Sequence, residues 1–282
     1  LCRVFSVINA QLRGLATHDS SSAIGSKIFY ILGSLSMVKS CVVLVVLTQS
    51  GVTGAEELLK NMFEALLSSI RPEHSDEVGN HMVTILQACI EESDSNLDQE
   101  LLDILLYPLL PSARAENTAA YRLSQAVLRR TTSNLQGPIS AFVNHVLVGT
   151  GLALGDSSST SELSDQIYPL IFELHKISPS LLLKVLPSVC VQLQAEEEEV
   201  RLKAVKLLGR LFASQQASYG ADFGCNFREF LGRFVDISPA IRLEMVDCGA
   251  LIMRRKPELA AMVEDFCVKR LRDGNGMYGT AL

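Results

Sequence analysis

Apolar residues recur along this chain at helical intervals of three and four. In LDQELLDILLYPLL, Leu97, Leu101, Leu105 and Leu109 fall on one face, and Leu102 and Leu106 widen it. In SELSDQIYPLIFELHKI the face is Leu163, Ile167, Leu170, Ile171 and Leu174. Stripes broader than a coiled-coil seam belong to helices packed in layers. Convincing strand alternation is absent, and helical patterns flank the one β-branched run, CVVLVVL. Gly, Pro, Ser, Asn and Asp interrupt the pattern at regular intervals, as in TQSGVTG, EESDSN, PSARAEN, SNLQGP, GDSSSTS, ISPS and DISP. These residues end one helix or cap the next; Ser161 with Ser164, and Asp98 near Glu100, read as N-terminal signals. The pattern predicts about eleven to thirteen helices, each of roughly 12–20 residues. No long linker divides them, so residues 1–272 read as a single segment and residues 273–282 as an irregular tail.

One stretch recurs. EEEEVRLKAVKLLGRLF, from Glu196 to Phe212, aligns at an offset of 41 with the stretch around IRLEMVDCGALIM. Val200, Arg201 and Leu202 meet Ile241, Arg242 and Leu243; Val205, Leu211 and Phe212 meet Val246, Ile252 and Met253. The preceding helix follows, with Leu186, Val189, Cys190 and Leu193 meeting Phe227, Phe230, Leu231 and Phe234. A weaker echo lies upstream at Tyr121-Arg122-Leu123. A period near 40, two helices per unit and an apolar-Arg-apolar opening to the second helix mark HEAT-type repeats. The predicted fold class is all-α, an armadillo-like HEAT superhelix. One helical hairpin cannot bury its own apolar face, whereas stacked hairpins bury it against each other. Arg201 and Arg242 each open a second helix. Beside acidic turn residues such as Glu197 or Asp236, such an arginine can satisfy carbonyls and carboxylates of its own or the next unit. The acids Glu196–Glu199 then sit at a helix start, where the dipole favours negative charge by ~0.3–1 kcal/mol. Consecutive carboxylates on a helix point in different directions, which argues against a metal site there.

Composition narrows the function. Hydrophobic residues make up 48% of the chain and charged ones 20%, enough apolar side chain to offset chain entropy and exclude disorder over the whole length. The net charge of −6 offers no general field for nucleic acid. The seven cysteines form no C-x-x-C pair and mostly sit in apolar runs, reading as reduced core thiols of a cytosolic or nuclear protein. The five histidines fall in no ligand spacing. The apolar stretch Ile28–Leu47 has the length of a membrane span, but it carries Gly33, Lys39 and several serines, and reads as buried helix. GTGLALG at Gly149–Gly155 resembles a dinucleotide fingerprint without the flanking strand and helix, and reads as a loop. No enzyme motif stands out, and neither a cofactor nor a metal is expected. The remaining chemistry is basic. Arg122, Arg129 and Arg130 end one helix and form a candidate site for an anion or acidic partner. Arg254-Arg255-Lys256 and Lys269-Arg270-Arg272 are similar groups. The chain begins at Leu1 and ends in RDGNGMYGTAL, unlike what precedes it, and reads as a piece of a longer protein.

Several blocks resemble the sister chromatid cohesion proteins of the Pds (precocious dissociation of sisters) type. They include QELLDILLYPLLP, LSQAVLRRT, SDQIYPLIFELHKISPSLLLKVLPSV and EEVRLKAVKLLGRLF. The most specific is FLGRFVDISPAIRLEMVDCGALIMRRKPELA. They span about Ile24 to Arg272. The resemblance implies a nuclear, chromosome-associated HEAT superhelix without catalytic activity. Its partners would be the kleisin subunit of cohesin and Wapl- or sororin-type regulators. It would control how long cohesin stays on chromosomes. The docking motif for Wapl and sororin peptides would lie upstream of Leu1, so no residue here is assigned to it. The alternative is a HEAT-repeat transport receptor or coat adaptor that carries cargo.

Overall fold

The computed structural model describes residues 55–70, 76–92, 99–148 and 158–272. The stretch Ile28–Leu47, the Gly149–Gly155 loop and the 273–282 tail lie outside the described residues. Fourteen α-helices, with short 3-10 turns between some of them, account for almost all of what is described, and no strand occurs among the described residues. The fold is all-α and of the HEAT type. Contacts divide it into two compact units, one comprising residues up to Val146 with Thr150–Glu173, the other Leu147–Gly149 with Leu174 onward.

The first unit contains α1 (Ala55–Ser69), α2 (Asp76–Glu92), α3 (Gln99–Leu106), α4 (Pro111–Glu116), α5 (Thr118–Arg130), α6 (Thr132–Val148) and α7 (Ser158–Asp165). Its core is mostly aliphatic. Leu59, Phe63, Met82, Leu86, Leu105, Leu109, Leu128 and Ile139 are all essentially inaccessible to solvent. Of the predicted Leu stripe, Leu97 is outside the described residues, and Leu101, Leu102, Leu105, Leu106 and Leu109 are buried. Asn117 sets the start of α5. Its Oδ1 accepts from the Ala120 amide at 3.1 Å, while its Nδ2 donates to the Ile70 carbonyl at 3.1 Å, so one cap also ties α5 to the end of α1.

Three sequence expectations change here. The break expected near SNLQGP falls just before it, at Thr131, and Gly137 and Pro138 lie inside α6. Leu135, Ile139, Phe142 and Val143 are buried along that helix, and their burial outweighs the ~3 kcal/mol an interior proline costs. Ser161 does not cap a helix, because α7 already starts at Ser158. The SELSDQIYPLIFELHKI stripe is two helices instead of one, α7 and α8 (Ile167–Ile177). Pro169 explains the break. Its ring opposes the Asp165 carbonyl, so it fits only the first turn of a new helix. Short segments of this kind raise the helix number above the eleven to thirteen expected.

The second unit contains the end of α8, from Leu174, then α9 (Leu186–Val191), α10 (Glu198–Phe212), α11 (Tyr219–Asp222), α12 (Gly224–Leu231), α13 (Pro239–Arg255) and α14 (Pro257–Arg272). Helix α10 packs along α13, and α13 along α14. Gly209 permits the first contact: a Cβ there would stand 2.2 Å from the Cys248 sulfur and 2.8 Å from its Cβ. Phe212 meets Phe227 edge-on, with ring centres 4.9 Å apart, and Phe230 at 5.3 Å. These are apolar positions the repeat aligned. Pro239 opens α13 behind Ser238, whose hydroxyl accepts from the Ile241 amide at 3.4 Å. Among the described residues, no helix is long and apolar enough to cross a membrane.

Candidate functional site

The two aligned hairpins of the second unit meet at one turn. Arg201 is the fourth residue of α10 and is only 5% exposed. Its Nη1 donates back to the carbonyls of Ala195 and Glu196, at 2.8 and 2.7 Å. Its Nε and Nη2 donate forward to the two carboxylate oxygens of Asp236, each at 3.2 Å. Arg242, the fourth residue of α13, repeats the backward half. Its Nη1 donates to the carbonyls of Asp236 and Ile237, at 2.8 and 2.9 Å. Ala195, Glu196 and Arg201 stand 41 residues before Asp236, Ile237 and Arg242, so the repeat of letters is also a repeat of bonds. Glu197 takes no part in the bonds of the Arg201 guanidinium to this turn.

Asp236 is held from three sides. The Ser238 amide donates to its Oδ1 at 2.9 Å, and Arg233 Nη1 donates both to its Oδ2 and to the Leu193 carbonyl, at 3.2 Å. Burial alone would push this carboxyl up. The Ser238 amide and the Arg201 and Arg233 guanidiniums reverse that and hold it below the usual aspartate value. The group is an ionised carboxylate in a two-pronged arginine grip, a geometry that fixes the spacing of two turns. Arg233 and Ser238 escaped the sequence reading; the available signal was their place in GRFVDIS, within the most specific block.

Arg122, Arg129 and Arg130 lie exposed on α5. Arg122 and Arg129 share one side, seven residues apart, and Arg130 lies about 100° further round. The echo at Tyr121-Arg122-Leu123 does not reproduce the turn. Arg122 is the fifth residue of its helix, one step past the position Arg201 and Arg242 occupy, and it faces solvent. Tyr121 stands at the fourth position instead. Its hydroxyl bonds Glu173 Oε2 at 3.2 Å, and the Arg114 guanidinium stacks 4.3 Å above its ring. Lys256 also departs from the expected basic group: it is buried, and its Nζ donates to the Ala217 carbonyl at 2.9 Å. Arg254 and Arg255 stay exposed.

His175 sits in a closed polar network. Its ring nitrogens lie 3.3 Å from the Tyr219 hydroxyl and 2.6 Å from the Ser214 hydroxyl, and Tyr219 donates to the Pro179 carbonyl at 2.7 Å. With that donation made, Tyr219 accepts from Nδ1–H and Ser214 donates to Nε2, an arrangement for a neutral ring. Burial depresses the imidazole to about 4.

The family model "Sister chromatid cohesion protein PDS5 protein" matches residues 1–276. The chain belongs to the PDS5 family. It is 34% identical to PDS5 homolog A of Danio rerio over 97% of its length, and 34% identical to PDS5 homolog B of Homo sapiens over 96%. It spans 20% and 18% of those two relatives, about a fifth of a PDS5 chain. A chain in the solved Pds5–Scc1 complex shares the fold, with a TM-score of 0.69 at 18% identity, over 96% of this chain and 41% of that one. Membership of the PDS5 family sets aside the transport-receptor and coat-adaptor alternative.

Proposed function

We propose that this chain acts as a non-catalytic HEAT scaffold that regulates cohesin on chromosomes. In this reading residues 1–272 form one HEAT segment that binds the kleisin subunit of cohesin and Wapl- or sororin-type regulators in the nucleus. The observation that carries it is the family match across residues 1–276. The fold shared with a chain of the Pds5–Scc1 complex supports it. The described chemistry agrees with a scaffold. The buried polar groups at the Asp236 turn and around His175 are engaged in holding helices together. Binding would then use exposed helix faces, with Arg122, Arg129 and Arg130 offering charge to an acidic segment. The test is a pull-down from nuclear extract with the immobilised chain, read with antibodies to cohesin subunits, followed by titration of purified kleisin. Recovery of cohesin and saturable kleisin binding are expected. Failure of both would remove this reading.

A further inference from the structure

The Arg201 grip holds two hairpin turns side by side, and the outer edges of those turns differ in chemistry. Gln194, Glu196 and Glu198 of the first turn stand 41 residues before Val235, Ile237 and Pro239 of the second, and all six are exposed. The first turn has the second packed beside it and its edge still faces solvent. This edge therefore lies off the stacking faces, and a following hairpin leaves it open. The second turn is apolar there: Ile237 is 86% and Val235 52% exposed, and Pro239 and Ala240 extend the patch along the start of α13. The first turn is anionic. Glu196, Glu197 and Glu198 are exposed, and among the described residues their carboxylates form no ion pair. Glu199 beside them is already neutralised by Lys203, at 2.7 Å.

We propose that this edge docks an extended basic segment of another protein. One apolar side chain of the segment sits on Ile237 and Val235, and its arginines or lysines lie over Glu196–Glu198. Charge selects that occupant. Three adjacent carboxylates without a counterion in the fold gain from a cation placed among them. They turn away nucleic acid and any acidic segment of the kind the α5 arginines would take. Geometry sets the spacing. Packed helices such as α10 and α13 lie about 8–10 Å apart. An extended chain advances ~3.3 Å per residue, so the apolar anchor and the first basic residue stand about three residues apart. The grip also makes the surface ready. Arg201 donates to the Glu196 carbonyl and to Asp236, the neighbour of Ile237, so neither half has to be ordered when the segment arrives.

Fluorescence anisotropy with the whole chain tests this. The probe is a labelled Gly/Ser peptide carrying one leucine and, three residues on, a pair of arginines. Saturable binding that weakens with salt is expected. Ile237→Ser raises the dissociation constant at least about tenfold, and so does Glu196→Lys combined with Glu198→Lys. A peptide with glutamates in place of its arginines binds that lysine variant instead, which separates charge pairing from any loss of fold. All three positions are exposed, and circular dichroism of each variant checks the helices. Absence of saturable binding overturns the proposal. So does binding indifferent to Ile237→Ser, equal binding of a peptide whose leucine is replaced by alanine, or a lysine variant that fails to take the glutamate peptide. Self-association of the chain that Ile237→Ser abolishes would make the occupant a second copy and overturn it as well.

Discussion

At the scale of single residues, a few buried polar groups are the least tolerant of a one-sided change. Arg201 and Asp236 are each worth little unless both are present, because either one alone leaves a charge in the interior. Arg201→Met or Asp236→Asn should each destabilise the chain by about 3–5 kcal/mol in urea unfolding, since each breaks a buried pair from one side. Replacing both with apolar residues of similar size should recover much of that loss. His175 gives a pH signature of its own. Its folded-state value, about 4, lies below the ordinary 6.5. The unfolded chain therefore takes up the proton first, and stability is full above pH 6.5. It falls as the pH drops from there towards 4, by up to roughly 3 kcal/mol. Asp236 is also depressed, so its contribution is lost only as the pH falls below its ordinary value of 3.8. Unfolding midpoints measured between pH 7 and 4 should decline in the native chain and flatten in His175→Gln.

At the scale of elements, close approach of helices decides what is tolerated. Gly209→Ala puts a methyl on the Cys248 side chain and its Cβ, which cannot swing aside as a chain end could. A loss of about 1–3 kcal/mol is expected, read as a lower thermal midpoint, with the helical signal kept. The same change at Gly137, where a Cβ meets nothing, should cost nothing and lend the helix some propensity. The elements themselves were largely legible. Leu163, Ile167, Leu170, Ile171 and Leu174 are all buried, as the spacing required. What the spacing could not show was where proline wins. Pro169 falls in the first turn of a new helix and Pro138 inside a continuous one, although buried side chains flank both. The contest is between a local backbone cost and a tertiary gain, and only the local half is written at the proline.

Across the whole molecule, the repeat was readable because stacking demands the same side chains at the same offset. The arginine turn was half readable. Arg201, Arg242 and Asp236 stood out by alignment, whereas the bonds from Arg233 and the Ser238 amide depend on how the chain folds back over the turn. Exposed charge leaves no packing trace, so the α5 arginines could be named from the sequence without showing what they bind. Changing Arg122, Arg129 and Arg130 together to Glu should leave the melting curve nearly unchanged, since all three face solvent. Binding of an acidic partner should fall and lose its salt dependence. Unaltered binding would remove these residues from the partner surface.

The Cys248 thiol supplies a chemical clock. Its sulfur is covered by α10, and burial pushes its thiol up to about 12. Alkylating reagents can react with it only while the two helices stand apart. Cys225 lies exposed in the same chain and labels at the rate of an open thiol. The ratio of the two rates, followed by mass spectrometry in native buffer, measures how often neighbouring HEAT hairpins separate without the protein unfolding.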